Sequence, residues 1–253
     1  MLPHEILENA LADSNGSALI PFITAGYPTC ESFLTNLKEI SKVADAIEIG
    51  VPFTDPLADG VTVQKASLKA LNNGVSLSWI FDQLSKIDFE ISSPLLLMSY
   101  LNPLYAFGFD RLAQYAKKNN VSGFIVPDLP YEECLPLKAS LDKEGIALVQ
   151  LVSPETPVSR LENICKHSKG FVYAVTRTGI TGKETSLPKN LTKYLDLVKN
   201  ISSIPVCAGF GVRNSEQVKL ISKHADGVIV GSALLEAIEK NKDLIKFLQA
   251  LKK

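Results

Sequence analysis

The sequence predicts an α/β protein, specifically a single (β/α)8 TIM barrel with an extra N-terminal helix and an extra helix after strand 2. Three observations carry this expectation. Eight short runs rich in Val, Ile or Leu recur along the chain, each bounded by Gly, Pro or polar residues, as buried parallel strands are. Between them lie longer stretches with apolar residues at intervals of three and four, the signature of helices packed on one face. The 253 residues give room for eight such units in one closed barrel. A doubly wound open sheet shares the alternation and stands as the alternative. No Gly/Ser-rich or Pro-rich linker, low-complexity segment or long exact repeat divides the chain, so residues 1–253 read as one domain.

The elements follow in order. A helix is expected over Pro3–Ala12, then a strand over Ala18–Thr24 and a helix over Ser32–Val43, where Phe33, Leu37 and Ile40 fall on one face. Strand two is expected over Ala46–Val51, with two helical stretches after it, near Thr62–Leu71 and Leu77–Ile87. Strand Leu95–Tyr100 leads to helix Phe109–Asn119, and strand Gly123–Val126 to helix Glu133–Glu144. Ala147–Val152, Phe171–Val175, Val206–Ala208 and Gly227–Val230 complete the strands. The helices after them are Ser159–His167, Leu191–Asn200, Ser215–His224 and a long closing one over Leu234–Leu251.

Composition narrows the function classes. A 46% hydrophobic fraction with 21% charged residues is ordinary for a globular protein with a large core. The 26 basic and 27 acidic residues nearly cancel and form no long basic run, which argues against a nucleic-acid footprint. Cys30, Cys134, Cys165 and Cys207 form no CxxC pair, so free thiols in a reducing cytoplasm are expected rather than a zinc site or a disulfide framework. The N-terminal stretch carries acidic residues and no long apolar core, unlike a secretory signal. No run approaches the roughly 20 apolar residues of a membrane span.

In a barrel of this kind, chemistry sits at the C-terminal ends of the strands. Glu48 stands between Ile47 and Ile49, so when the isoleucines face the helices it points into the barrel. Burying such a carboxylate is costly unless it is satisfied by an internal polar network or put to use. The loop that follows, VPFTDPLADG, brings Asp55 and Asp59 to the same end. A buried Glu beside a wetter Asp suits proton transfer, because burial raises one pKa while its partner stays ionised. Binding of a hard metal has no further ligand cluster to support it. The later strands end in glycines: Gly179 and Gly182 after strand six, Gly209 and Gly211 after strand seven, Gly231 beside Ser232 after strand eight. Loops after strands seven and eight form the usual phosphate site of such barrels, although any one glycine can serve merely a tight turn. GFGVRN lacks the third glycine of a dinucleotide fingerprint, and GITGKE lacks P-loop spacing. Tyr100 and Tyr173 each end a strand, where a phenol either packs in the core or orients a substrate. His4, His167 and His224, with Arg177 and Lys183, read as solvated groups, and Trp79 as core.

PFITAGYP (21–28), EIGVPFTDPLADG (48–60), SYLNP (99–103), VPDLPYEE (126–133), RTGITG (177–182), GFGV (209–212) and DGVIVGSA (226–233) resemble the tryptophan synthase α-subunit family, in its order and over nearly the whole chain. The resemblance implies a lyase that splits indole-3-glycerol phosphate into indole and glyceraldehyde 3-phosphate by a retro-aldol step, with no cofactor in this subunit. It places the catalytic acids on Glu48 and Asp59 and the phosphate contacts on Gly182, Gly211, Gly231 and Ser232. The indole pocket falls on Phe22, Met98, Ile125 and Phe210, and Tyr100, Tyr173 and Thr181 line or close the site. It also implies an α2β2 complex in the cytoplasm. There indole would pass to a pyridoxal-phosphate β subunit, with Asp55 at the partner contact and loops 53–60 and 178–188 as mobile elements. Two positions depart from the family's usual pattern: Val61 stands where Pro commonly follows ADG, and Met98 replaces a more usual Leu. Two other readings stay open, a subunit that chiefly binds and activates the β partner, and another phosphate-binding barrel enzyme.

Overall fold

The computed structural model describes residues 1–14, 16–176, 188, 190–209 and 211–252. Eight parallel strands close in sequence order into a barrel. They are β1 (Ala18–Thr24), β2 (Ile47–Gly50), β3 (Leu95–Met98), β4 (Val121–Ile125), β5 (Ala147–Val152), β6 (Val172–Val175), β7 (Val206–Gly209) and β8 (Gly227–Val230). The open-sheet alternative is thereby set aside. Around the barrel run α1 (Pro3–Ala12), α2 (Cys30–Ser41), α3 (Val61–Asn72), α4 (Leu77–Leu84), α5 (Leu101–Phe107) and α6 (Phe109–Lys118). Next come α7 (Leu135–Lys143), α8 (Val158–His167), α9 (Leu191–Ile201), α10 (Ser215–Ile221), α11 (Ser232–Glu239) and α12 (Leu244–Lys252).

Strand pairing explains which side chains reach the interior. Phe22 pairs with Glu48 and Glu48 with Leu96, while Gly50, Met98 and Ile125 form the next row up. Paired residues in neighbouring strands face the same side, so these rows point into the barrel and Ile47 and Ile49 point out to the helices. At the opposite end α1 docks beneath the strands. Its Leu7 and Leu11 are buried, Glu8 accepts the Gly170 N–H at 2.8 Å, and the His4 ring bonds the Gly145 carbonyl at 2.8 Å.

Two elements differ from the sequence expectation, each for a local reason. The sequence pattern keeps the chain extended to Tyr100 and looped beyond it, yet α5 begins at Leu101. Pro103 lies in the first helical turn, where its missing N–H would have no intrahelical acceptor, and Gly108 at φ +87° separates α5 from α6. The long closing helix is two helices. Asn241 adopts φ +50°, its N–H bonds the Ile238 carbonyl and the Lys242 N–H bonds the Ala237 carbonyl. That pair of bonds is a Schellman ending of α11, with Asn in the left-handed position usually held by Gly. Among the described residues no helix is long and apolar enough to cross a membrane.

Candidate active site

A cavity opens at the C-terminal mouth of the barrel, lined by Phe22, Glu48, Asp59, Gly60, Val63, Met98, Tyr173, Gly211, Val212, Ile229, Gly231 and Ser232. Its walls are mostly apolar, and its floor carries Glu48. That side chain is 1% exposed, and its Oε2 has no hydrogen-bond partner among the described residues. Desolvation, reinforced by the negative charge of Asp59, pushes the Glu48 carboxyl up to about 8.

Asp59 hangs over the same cavity from the β2–α3 loop and is 8% exposed. Burial raises its carboxyl to about 6, and the hydroxyl of Tyr100 pulls it back down. The two acids are thus unequally shifted: burial raises both, and the neighbouring Asp59 charge raises Glu48 further. This is the division of labour that acid–base catalysis needs.

Tyr100 is not on a strand and does not line the cavity. It caps α5, stacks on Phe53 with ring centroids 5.3 Å apart, and accepts the Ala58 N–H at 2.8 Å. Its burial and the Asp59 charge raise its own pKa, so it remains a neutral phenol. Tyr173, inside the barrel on β6, is raised well above the ordinary phenol by burial and by the Glu48 charge. A methyl group added at Gly209 would collide with the Tyr173 hydroxyl and lie 2.7 Å from Cζ, so the ring lies across bare backbone. Gly209→Ala should therefore displace Tyr173, destabilise the fold by roughly 1–3 kcal/mol and reduce turnover. Chemical denaturation alongside an activity assay checks this, and unchanged values in both would refute the packing.

The glycine-rich end is present where the pattern placed it. Gly211 has φ +91°, a conformation that disfavours side chains, while Gly231 precedes the first turn of α11 and Ser232 opens it. Ile125 is buried at the end of β4, paired with Met98 in the inward row, and is not among the residues lining the cavity. Asp55 is exposed on the aspartate loop and accepts a hydrogen bond from the Thr54 hydroxyl at 2.5 Å. Gly182, Thr181 and Phe210, with Gly179, Arg177 and Lys183, lie outside the described residues. Sequence reasoning missed Gly60, Val63, Val212 and Ile229. Ile229 was within reach, since it shares the inward parity of Gly227 and Gly231. Val63 needed the start of α3 at Val61, which brings its side chain back over the mouth. Among the described residues, no group of three or more His, Cys, Asp or Glu side chains is placed to hold a metal ion.

A closed (β/α)8 barrel with two buried, unequally shifted carboxylates at its C-terminal mouth defines an acid–base barrel enzyme. Comparison with known proteins gives the particular kind. The family described as "Tryptophan synthase alpha chain" matches residues 9–252. The tryptophan synthase alpha chain of Solidesulfovibrio magneticus is 43% identical over 232 residues, covering 91% of each chain. Among solved structures, one from Aquifex aeolicus superposes with a TM-score of 0.89 at 33% identity, over 100% of this chain and 98% of that one. A tryptophan synthase complex from Pyrococcus furiosus gives 0.84 at 37% identity, over 93% and 98%. The chain belongs to the tryptophan synthase alpha chain family.

Proposed function

We propose that the chain cleaves indole-3-glycerol phosphate to indole and glyceraldehyde 3-phosphate with Glu48 as the proton carrier and Asp59 as the electrostatic partner of the indole nitrogen. The observation that carries the roles is the buried Glu48 carboxyl lining the same cavity as Asp59, with its Oε2 lacking a hydrogen-bond partner among the described residues. In the retro-aldol step, indole C3 gains a proton, the hydroxyl on the glycerol carbon bonded to C3 loses one as that carbon becomes the aldehyde, and the C–C bonding pair returns to the ring. Glu48 begins protonated, gives its proton to C3 and takes one from the hydroxyl. Asp59 accepts the ring N–H and stabilises the positive charge that forms there. Phe22, Met98, Tyr173 and Ile229 offer a flat apolar slot for the ring, and the family resemblance assigns Ile125, Thr181 and Phe210 to the same pocket. The phosphate belongs at Gly211, Gly231 and Ser232, together with Gly182.

The whole chain acts as one barrel domain without a cofactor of its own. Its partner is a tryptophan synthase β subunit in an α2β2 assembly, which would hold the pyridoxal phosphate and receive indole directly. The exposed Asp55 and Leu57, the latter 81% exposed, support this reading by giving the aspartate loop an accessible edge for that contact. A cytoplasmic setting suits four free cysteines.

Purified chain, with and without a β subunit, should release indole from indole-3-glycerol phosphate. No release under either condition would overturn the assignment. The kcat/KM profile should be bell-shaped, with an acid limb near the Asp59 value of about 6 and a basic limb near the Glu48 value of about 8. A profile flat from the acid side of the first value to the basic side of the second would remove both acids from the chemistry.

A further inference from the structure

We propose that Gln64 and Tyr100 act as a two-point clamp on the acid loop, making both of them positioning residues for Asp59. The inference rests on the role given to Asp59 above. Asp59 sits in an otherwise open loop just ahead of α3, held locally by its own N–H to the Pro56 carbonyl at 3.3 Å. Two side chains from other turns fix it further. Gln64 sits one turn into α3. Its backbone N–H closes the first helical bond to Gly60 at 3.0 Å, and its side-chain amide donates to the Asp59 carbonyl at 2.8 Å. The main chain of Asp59 is thereby tied to a rigid element rather than left to the loop.

Tyr100 reaches the loop from the end of β3. Its hydroxyl oxygen accepts the Ala58 N–H at 2.8 Å, which leaves its single proton free to face the neighbouring carboxylate. Stacking on Phe53 and the cap of α5, where the Leu101 N–H donates to Asp128 at 2.9 Å, fix the phenol's base. Gln64 thus holds the backbone on one side of the carboxylate, while Tyr100 holds the preceding peptide and keeps its hydroxyl proton available to the carboxylate. Among the described residues, the titratable groups facing Asp59 are Glu48 from β2, Tyr100 from the end of β3 and Tyr173 from β6. Of these, only the Tyr100 hydroxyl favours the ionised form of Asp59.

The two arms predict different signatures. Tyr100→Phe keeps the ring but removes the proton donor. Turnover should fall roughly ten- to a hundredfold, the loss expected for one hydrogen bond to a charged group, and the acid limb of the pH profile should move upward. Gln64→Met removes the amide at nearly constant volume. It should lower kcat by about tenfold with little change in KM and leave the acid limb where it was. In an Asp59→Asn background neither change should reduce the residual turnover further. Full turnover in both single variants, or losses that multiply in that background, would overturn the clamp. Circular dichroism and thermal melting identify any variant that has simply lost its fold. Should Gln64→Met do so, Gln64→Leu and the Tyr100→Phe limb shift still decide. Full turnover by Asp59→Asn sinks the role of Asp59 itself. Loss of turnover there, with none in the two clamp variants, sinks the clamp alone.

Discussion

Glu48→Gln should abolish indole release while leaving the barrel folded and its substrate bound. Glutamine has nearly the same volume and can sit between Leu96 and Phe22 in the strand rows, but it can neither give a proton to C3 nor take one from the hydroxyl. General acid–base catalysis contributes a factor of ~10²–10⁴, and one carboxyl serves two transfers here, so a loss of about a thousandfold or more in kcat with KM little changed is expected. The same substitution has a stability signature of defined sign. The carboxyl is held near 8 in the folded chain against 4.5 when free. The folded state therefore binds its proton more tightly, and that stabilisation is complete below the free value. It is lost progressively as pH rises from the free value to the folded one, because only the unfolded chain ionises across that interval. Glu48→Gln removes this loss. Its stability relative to the wild type should increase with pH across that window, by on the order of a few kcal/mol in total. Urea unfolding at several pH values gives the difference curve. A flat curve would mean that Glu48 is not desolvated, and wild-type turnover in the variant would end its assignment as the proton carrier.

Asp59→Asn should have the second-largest effect. The amide is close to isosteric with the carboxylate, but the charge that balances the cationic ring is gone. Loss of a preorganised electrostatic contact typically costs ~10²–10³ in turnover. A second consequence separates this from mere loop damage. The Asp59 charge is one of the two causes that raise Glu48, so its removal should move the basic limb of the pH profile toward neutrality. The acid limb assigned to Asp59 should vanish. Retention of both limbs at wild-type positions would show that Asp59 does not share a field with Glu48.

The barrel was legible because its signals are local. Alternation of short apolar runs with amphipathic stretches repeats eight times, and the parity of Ile47, Glu48 and Ile49 alone aims the carboxylate inward. The glycines of GFGV and of Gly231–Ser232 were legible for the same reason, since a strand end followed by Gly marks the mouth. What escaped depends on contacts between distant segments or on backbone geometry. The helix from Leu101 carried no periodic signal of its own, with Pro103 in its first turn, and Asn241 gave no hint that it would stand in for a helix-ending glycine. Tyr100 stood at the right end of the barrel, but its hydrogen bond to the loop after the neighbouring strand, 42 residues away in sequence, was not legible from its position. Gln64 was silent altogether, because a half-buried amide on a helix signals nothing until the loop carbonyl it holds is located.

Phe22 gives the mouth one further property. A side chain at Gly50, on one neighbouring strand, would lie 2.5 Å from the tip of its ring; at Gly231, after the other neighbouring strand, it would lie 3.3 Å from Cδ1. One aromatic ring therefore leans across three consecutive staves of the barrel, and it can do so because the outer two are bare. The width of the opening is thus set by a single removable gauge rather than by the closed sheet. Changes in the girth of the accepted ring can arise at Phe22 without disturbing either the strand register or the two acids.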